Sequence, residues 1–428
     1  MEYGNVACTL FLIMPALTVT AVKQPNIVFI LADDLGWTDV SFHGYDEIPT
    51  PNIDILAEEG VILHDYYAQY LCTPSRVALM TGKYPFRTGM QRLVLQIGED
   101  RALPLEEKLL PEYLKDLGYS THIIGKWHLG YSKRTMTPLY RGFDSFFGYY
   151  AGANDYFNYT PEVRKEEWRG FDLWDNVTAC QKCKGQYSTN LFTEVAIKKI
   201  DEHHYEKPLF LYFSHMAPHA AGKYDPTQAP WKDEKHFSYI KHDDRREHAA
   251  MVNVMDQSVG KNYAFCFLAI GGRSWDAISE GLPSPREEIV HQIDPVGPEY
   301  AIRWKNYKLV YGSPAGLKTK SFRMDHWYKP PNGIHAKFIK HEKAAVHCKK
   351  PSHALPCHSL LVPCLFDIEE DPCEYNNLAG SHKNIADLLM EKIREYNTTA
   401  LPSDPDIFDL DPRAKTAFHH GLIEPWLT

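Results

Sequence analysis

Residues 26–34 read Asn-Ile-Val-Phe-Ile-Leu-Ala-Asp-Asp, a continuous apolar run that ends in two adjacent carboxylates. A run of this length without polar alternation predicts a strand of a parallel sheet that is buried on both faces. Open α/β sheets place their chemistry at the carboxyl ends of such strands, so Asp33 and Asp34 are candidate functional residues. A divalent cation such as calcium would explain two neighbouring carboxylates. A solvated loop or a helix cap would also accommodate them.

Helices and strands alternate downstream of this run. Helical patterns cover residues 52–60, 77–81 and 110–117, and apolar strands cover residues 120–124 and 209–213. This alternation predicts a doubly wound α/β domain, which we place at residues 22–298.

The pattern changes near Tyr300. Residues 301–304 and 307–311 flank Lys305-Asn306, which predicts an antiparallel hairpin. Apolar residues from Ile385 to Tyr396 then recur at helical spacing. We therefore expect a smaller C-terminal α+β domain, residues 299–428, with a closing amphipathic helix.

Composition and charge exclude some classes of partner. The 428 residues include 46 basic and 55 acidic side chains, for a net charge of -9, and no long basic run could follow a phosphate backbone. Nucleic acid is therefore not an expected partner.

The N-terminal residues predict entry into the secretory pathway. Residues 8–17 are apolar and Val19-Thr20-Ala21 suits signal peptidase, so we expect a signal peptide over residues 1–21. The run is too short to span a bilayer, and no other candidate span follows. Glycosylation triplets begin at Asn158, Asn176 and Asn397. A lysosomal or secreted protein without a transmembrane segment is expected.

Cysteine usage agrees with an oxidising compartment. Without Cys8 and Cys72, seven cysteines remain, which leaves one unpaired. Histidines and cysteines cluster between His347 and His358, but their spacing fits no compact zinc site. Disulfides are the better interpretation.

The segment Cys72-Thr73-Pro74-Ser75-Arg76 carries the sharpest chemical signal. A cysteine before a proline-bearing turn with a nearby guanidinium suits an electrophile or an anion site. In a secreted protein, a disulfide partner is the alternative role for Cys72.

Continued by Leu79-Met80-Thr81-Gly82-Lys83, this segment resembles the sulfatase signature, in which the cysteine is oxidised in the endoplasmic reticulum to formylglycine. The resemblance extends over residues 26–44, 125–130 and 141–144 and resumes at residues 365–368. Residues 148–156 look most like arylsulfatase B and its close relatives. The resemblance implies an alkaline-phosphatase-like fold, with a doubly wound mixed sheet and a smaller C-terminal α+β domain.

The resemblance also implies a mechanism. Asp33, Asp34 and the residue derived from Cys72 would be ligands of one calcium ion, which would activate a hydroxyl of the hydrated aldehyde for attack on sulfur. Arg76 would steady this nucleophile. The partners implied are a sulfated sugar or an aryl sulfate as substrate, and the formylglycine-generating enzyme during maturation.

Three further residues match the family's sulfate contacts. Lys126 and His128 lie two apart, so on an extended segment both could face one pocket and donate to a sulfate. His219 in Ala217-Pro218-His219 matches a histidine that contacts sulfate and protonates the leaving oxygen. Without the motif, each would be an ordinary surface lysine or histidine.

The chain departs from the family after the helix at residues 249–260. Family members continue to a strand ending in Asp-Asn-Gly, which completes the calcium site, and then to a second active-site lysine; neither has a match here. Asp175-Asn176 is the only Asp-Asn pair, and nothing else makes it resemble these ligands. We therefore expect weaker calcium binding and impaired catalysis.

Three functions remain open on the sequence. The first is a calcium- and formylglycine-dependent hydrolase of sulfate esters. The second is an inactive relative that binds a sulfated glycan or a partner protein. A phosphatase or phosphonate hydrolase of the same superfamily is disfavoured, because Cys72 and its context suit formylglycine.

Overall fold

The computed structural model describes residues 24–163, 166–204, 206–222, 224–263, 286–312, 357–403 and 409–427. The expected signal peptide, Cys266 and Cys348 lie outside these residues. The described chain forms two sheets with helices packed against them.

The larger sheet has six strands in the order β1-β6-β2-β3-β4-β5. The strands are β1 (Ile27–Asp33), β2 (Ser120–Lys126), β3 (Ser145–Tyr149), β4 (Trp174–Asp175), β5 (Thr178–Ala179) and β6 (Leu209–Pro218). The first four strands in this order are parallel, whereas β4 and β5 are antiparallel. Because β1, β6 and β2 run in one direction, their carboxyl ends meet at one edge of the sheet.

Helices cover both faces of the sheet, as the doubly wound prediction requires. They are α1 (Pro51–Glu59), α2 (Cys72–Thr81), α3 (Leu110–Asp116), α4 (Ser188–Asp201), α5 (Trp231–Glu234) and α6 (Asp243–Tyr263). Alternate residues of β6 divide between the faces, since Leu211 packs with residues of α4 and α6 while Phe210 packs with residues of α2.

The central strand and the edge strand differ in burial. All ten residues of β6 are buried, as expected for a continuous apolar run. In β1 only Asp33 is fully buried, and the six apolar residues before it are half-buried. The prediction of full burial for this run was wrong, because β1 lies at one end of the strand order and pairs only with β6 among the described strands.

A second, antiparallel sheet forms the smaller unit. Its strands, in the order β10-β9-β8-β7, are β7 (Glu288–Asp294), β8 (Glu299–Trp304), β9 (Tyr307–Tyr311) and β10 (Cys364–Asp367). The expected hairpin is the β8–β9 pair. The closing helix α7 (Lys383–Asn397) buries Leu389 and Ile393 against this sheet. Because β7 pairs with β8, the sheet begins before the boundary expected at residue 299.

Disulfides agree with the cysteine analysis. Cys180 is bonded to Cys183, and Cys357 is bonded to Cys364. Cys357 is therefore not free to bind zinc. None of the described helices is both long enough and apolar enough to cross a bilayer.

Candidate active site

Cys72 is the first residue of α2, the helix that follows the loop after α1. Pro74 is tolerated there because amides in the first turn of a helix need no intrahelical partner. Cys72 is the free cysteine of the described part of the chain, so the disulfide alternative is not realised within it. The helix N-terminus places backbone dipoles that favour negative charge beside the thiol.

Asp33, at the carboxyl end of β1, lies in a buried cluster of cations. Lys126 donates from Nζ to Asp33 Oδ2 at 2.6 Å, and Arg76 Nη2 lies 3.5 Å from Asp33 Oδ1. Burial alone would raise the pKa of this carboxyl, but Lys126 and Arg76 hold it well below its ordinary value. Asp33 is therefore an anion over the physiological pH range.

Arg76 is fixed from three directions. Its guanidinium donates to the carbonyl oxygen of Lys126 at 3.0 Å and to Ser214 Oγ at 2.6 Å, and it reaches Tyr212 Oη at 3.4 Å. Arg76 belongs to α2, and its partners belong to β2 and β6. The guanidinium therefore joins these three elements. Ser214 was not singled out in the sequence, although it and His215 are polar residues in a largely apolar strand.

Asp34 and His219 lie at the open side of the cluster. Asp34 adopts a left-handed backbone conformation with φ of 60°, and its side chain is 64% exposed. His219 Nε2 lies 3.5 Å from Asp34 Oδ2. The buried hydroxyl of Tyr156 donates to the carbonyl oxygen of His219 at 2.8 Å and so positions the backbone of this histidine.

The thiol and the histidine influence each other. Burial raises the pKa of Cys72, but the Lys126 ammonium and a hydrogen bond with His219 lower it below its ordinary value. Burial and Lys126 lower the pKa of His219, but Cys72, Asp33 and Asp34 outweigh them, and the net shift is upward. These opposite shifts favour a thiolate at Cys72 beside a protonated His219 imidazole.

His128 departs from the extended backbone that the spacing argument assumed. Its φ is 58°, yet the charges of Lys126, Arg76 and Asp33 act on its ring, so it lies near the cluster. His128 Nε2 lies 3.0 Å from the carbonyl oxygen of Leu95, whereas its buried Nδ1 has no hydrogen-bond partner among the described residues. Burial and Lys126 hold its pKa well below the ordinary value, so His128 is neutral.

Tyr149 is a buried site residue that the sequence did not single out. It is the last residue of β3, next to β2, and its hydroxyl is buried without a partner in the described part of the chain. Burial raises its pKa, and the charge of Asp33 raises it further. The phenol therefore stays protonated and can donate a hydrogen bond.

Calcium fits the described residues only in part. Donor atoms of Asp33, Cys72 and His219 lie within 4.8 Å of one another, with Cys72 Sγ marking where formylglycine would carry oxygen. Calcium takes roughly six to eight oxygen ligands. The described site offers the carboxylates of Asp33 and Asp34, and both oxygens of Asp33 already face cations. This set does not form a complete calcium shell.

Asp175 and Asn176 do not contribute to the site. Asp175 is the last residue of β4 and Asn176 begins the turn to β5, at the end of the sheet opposite β1. This position is remote from Asp33, which ends β1.

Comparison with known proteins identifies the family. The sulfatase family model matches residues 25–264, more than half of the chain. Arylsulfatase J of Mus musculus is 30% identical over 526 residues, which cover 96% of this chain and 82% of the relative. N-acetylgalactosamine-6-sulfatase of Mus musculus is 35% identical over 237 residues, 50% of this chain and 45% of the relative.

A solved structure supports the fold. Ps i-CgsB in complex with k-i-k-neocarrahexaose superposes with a TM-score of 0.68 and 22% identity, over 92% of this chain and all of that one. At this identity the likeness shows the fold alone, and it confirms the alkaline-phosphatase-like prediction. The resemblance to arylsulfatase B in particular stays a prediction.

The alignment with arylsulfatase J also bears on the missing segment. It runs over 526 residues, more than the 428 of this chain, so that relative contains residues with no counterpart here. On the family model and the breadth of the arylsulfatase J match, the chain belongs to the sulfatase family and is by family a sulfuric ester hydrolase.

Proposed function

We propose that this chain hydrolyses sulfate esters through a formylglycine formed from Cys72. The observation that carries the proposal is the convergence of Lys126, His219 and the start of α2 on the Cys72 thiol. Cationic donors around a nucleophile suit a tetrahedral anionic group such as a sulfate ester. Once Cys72 is converted, one hydroxyl of the hydrated aldehyde would attack sulfur and displace the alcohol. Loss of sulfate, assisted by the second hydroxyl, would then regenerate the aldehyde.

The other residues take roles that their contacts support. Lys126 donates to a sulfate oxygen while it holds Asp33, because an ammonium has three protons to share. His219 protonates the leaving oxygen, consistent with its raised pKa. Arg76, anchored on β2 and β6, keeps the first turn of α2 in place. His128 Nδ1 and the Tyr149 hydroxyl are further donors or acceptors for the bound group.

Calcium enters the proposal as a weakly held ion. Asp33, Asp34 and the converted Cys72 would hold it, and it would supply a positive charge that favours deprotonation of the nucleophile and polarises the sulfate. Because these residues provide only part of the oxygen ligands that calcium requires, we expect impaired turnover.

The substrate class follows from the relatives. One of them is named an N-acetylgalactosamine-6-sulfatase, and the resemblance to arylsulfatase B points to the same sugar. We propose sulfated N-acetylgalactosamine in glycosaminoglycans as the natural substrate, with aryl sulfates as test substrates. Disulfides support maturation in the secretory pathway and a lysosomal or secreted location.

The test has two steps. Mass spectrometry of the peptide containing Cys72 shows whether the formylglycine-generating enzyme accepts the chain. Turnover of a chromogenic aryl sulfate, with and without calcium, then measures activity. We expect conversion with slow, calcium-dependent turnover that Cys72→Ala abolishes. His219→Asn should lower kcat, whereas the exposed control His236→Asn should not. Turnover that survives Cys72→Ala refutes the assigned nucleophile.

A non-catalytic relative is the second candidate. Two observations favour it. Arylsulfatase J contains residues that have no counterpart here, and Asp33 is already paired with Lys126 and Arg76. Such a protein would bind sulfated saccharides at Lys126 and His219 without releasing sulfate. Converted protein that binds but shows no turnover in either calcium condition would establish this function instead.

A further inference from the structure

Gln228 is a buried glutamine whose side-chain amide is fully used in hydrogen bonds. It lies in the chain between His219 and α5 and is 8% exposed. Its Oε1 accepts from the backbone amide of Tyr156 at 2.8 Å, and its Nε2 donates to carboxylates of Asp155 at 3.0 Å and Asp225 at 2.9 Å. A glutamine amide offers one acceptor oxygen and two N–H donors, and this arrangement uses all of them. A carboxylate or an aliphatic side chain could not make all three bonds.

Gln228 also holds both members of an aromatic pair. The rings of Tyr156 and Tyr187 stack with their centroids 5.3 Å apart and their planes 18° apart. The Tyr187 hydroxyl donates to the backbone carbonyl oxygen of Gln228 at 2.9 Å, while the Gln228 side chain accepts from the Tyr156 amide. Tyr156 is fully buried, and a tyrosine side chain has only two rotatable bonds. Fixing its backbone and one face of its ring therefore fixes where its hydroxyl lies.

The Tyr156 hydroxyl contacts the backbone that carries the candidate general acid. It donates to the carbonyl oxygen of His219 at 2.8 Å and lies 3.2 Å from that of Met216. His219 Nδ1 lies 2.7 Å from the carbonyl oxygen of Ala220, and because a carbonyl oxygen only accepts, Nδ1 carries a hydrogen. Nε2 lies on the side of Asp34, 3.5 Å from Oδ2. A shift of the peptide group that joins His219 to Ala220 would therefore move Nε2.

We propose that Gln228 is a positioning residue for the His219 imidazole and acts through Tyr156. The inference rests on the proposed function, in which His219 protonates the leaving oxygen. Proton transfer requires the donor and the leaving oxygen to be within hydrogen-bond reach, so a small displacement of Nε2 slows this step. The side chain of Gln228 contacts Tyr156 and two carboxylates, so its effect on catalysis passes through another residue.

The dependence of turnover on the leaving group tests this role. Gln228→Met keeps the side-chain volume but removes the bond to the Tyr156 amide. The converted, full-length chain is assayed with 4-nitrophenyl sulfate, whose leaving group departs readily as an anion, and with phenyl sulfate, whose less acidic phenol depends more on protonation. We expect kcat to fall about tenfold for phenyl sulfate and by no more than about twofold for 4-nitrophenyl sulfate. His219→Asn should show the same pattern more strongly.

Gln91→Met is the matched control. Gln91 is 1% exposed, and its Nε2 donates to the carbonyl oxygen of Leu401 at 2.8 Å. The change therefore removes a hydrogen bond of a buried glutamine that holds a different part of the chain. In this variant the ratio of the two kcat values should equal that of the wild type, because a loss of stability alone lowers both values equally. Melting temperatures establish that both variants are folded.

A second readout does not require turnover. In the unconverted chain, His219 forms a hydrogen bond with the Cys72 thiol, which favours the reactive thiolate. We expect Gln228→Met to slow alkylation of Cys72 at pH 7 about threefold, and Gln91→Met to leave it unchanged. Unchanged alkylation in Gln228→Met, or an equal loss of kcat on both substrates, overturns the proposal. Absence of turnover in the converted wild type would instead refute the proposed hydrolase, and alkylation would still decide the role of Gln228.

Discussion

Replacement of Lys126 by Met should reveal how strongly the cationic cluster holds Asp33. The Lys126 side chain is fully buried, that of Asp33 is 6% exposed, and their atoms lie 2.6 Å apart. Removing one partner of a buried pair costs roughly 3–5 kcal/mol, because the other charge loses its compensation. Arg76 remains 3.5 Å from Asp33, so we expect the lower end, about 3 kcal/mol. This corresponds to roughly a hundredfold change in the unfolding equilibrium constant.

The pH dependence provides a second signature of the same change. In the wild type the folded-state pKa of Asp33 is lowered, so the pair stabilises the fold above the unfolded pKa and loses this contribution as pH falls. In Lys126→Met, burial should raise the pKa of Asp33, and the carboxyl then takes up a proton in mild acid. The difference in free energy of unfolding between variant and wild type should therefore shrink from pH 7 towards pH 4.

Urea unfolding measures this difference in free energy. A chelator is present so that no divalent cation can compensate the charge of Asp33 in the variant. Lys83→Met is the matched control, because Lys83 also lies 2.6 Å from a carboxylate, that of Glu107, but is 51% exposed. Surface pairs of this kind contribute at most about 1 kcal/mol. A loss for Lys126→Met no larger than that for Lys83→Met, or one independent of pH, would refute the account of the cluster.

Three further outcomes are expected. In the unconverted chain, the Cys72 thiol should be alkylated with a pH midpoint below that of a free cysteine, measured by mass spectrometry, and Lys126→Met should raise this midpoint. Gly125→Ala should prevent folding, because a Cβ there would overlap the Ser214 carbonyl oxygen; Gly118→Ala, with a similar positive φ but open space, should cost only about 1 kcal/mol in urea unfolding. Burial raises the pKa of Asp172 to about 7, so the free energy of unfolding should fall as pH rises from about 4 to 7, and Asp172→Asn should abolish that slope.

Local pattern was sufficient for most elements. The apolar runs at β1 and β2 and the helical spacing in α3 and α7 lie close to their expected bounds, whereas β6 begins at the expected Leu209 but continues to Pro218. These elements are specified by side-chain periodicity, which is a property of neighbouring residues. The half-burial of β1 was not predictable in this way, because burial depends on which strands pair beside it.

The residues of the candidate site were also predictable only in part. The sequence by itself predicted roles for Cys72, Arg76, Lys126 and His219, because the motifs around them resemble those of the family; these roles stay predictions, and the structure places the four residues around Asp33. It also determined that the Asp-Asn-Gly segment is absent.

Only the tertiary structure decided how these groups interact. It brought Lys126 and Arg76 onto Asp33, gave His128 a left-handed backbone, and showed Tyr149 and Tyr156 as site residues. These contacts join residues far apart in the chain, and whether a carboxylate faces a metal or a buried ammonium depends on distances that no local pattern encodes.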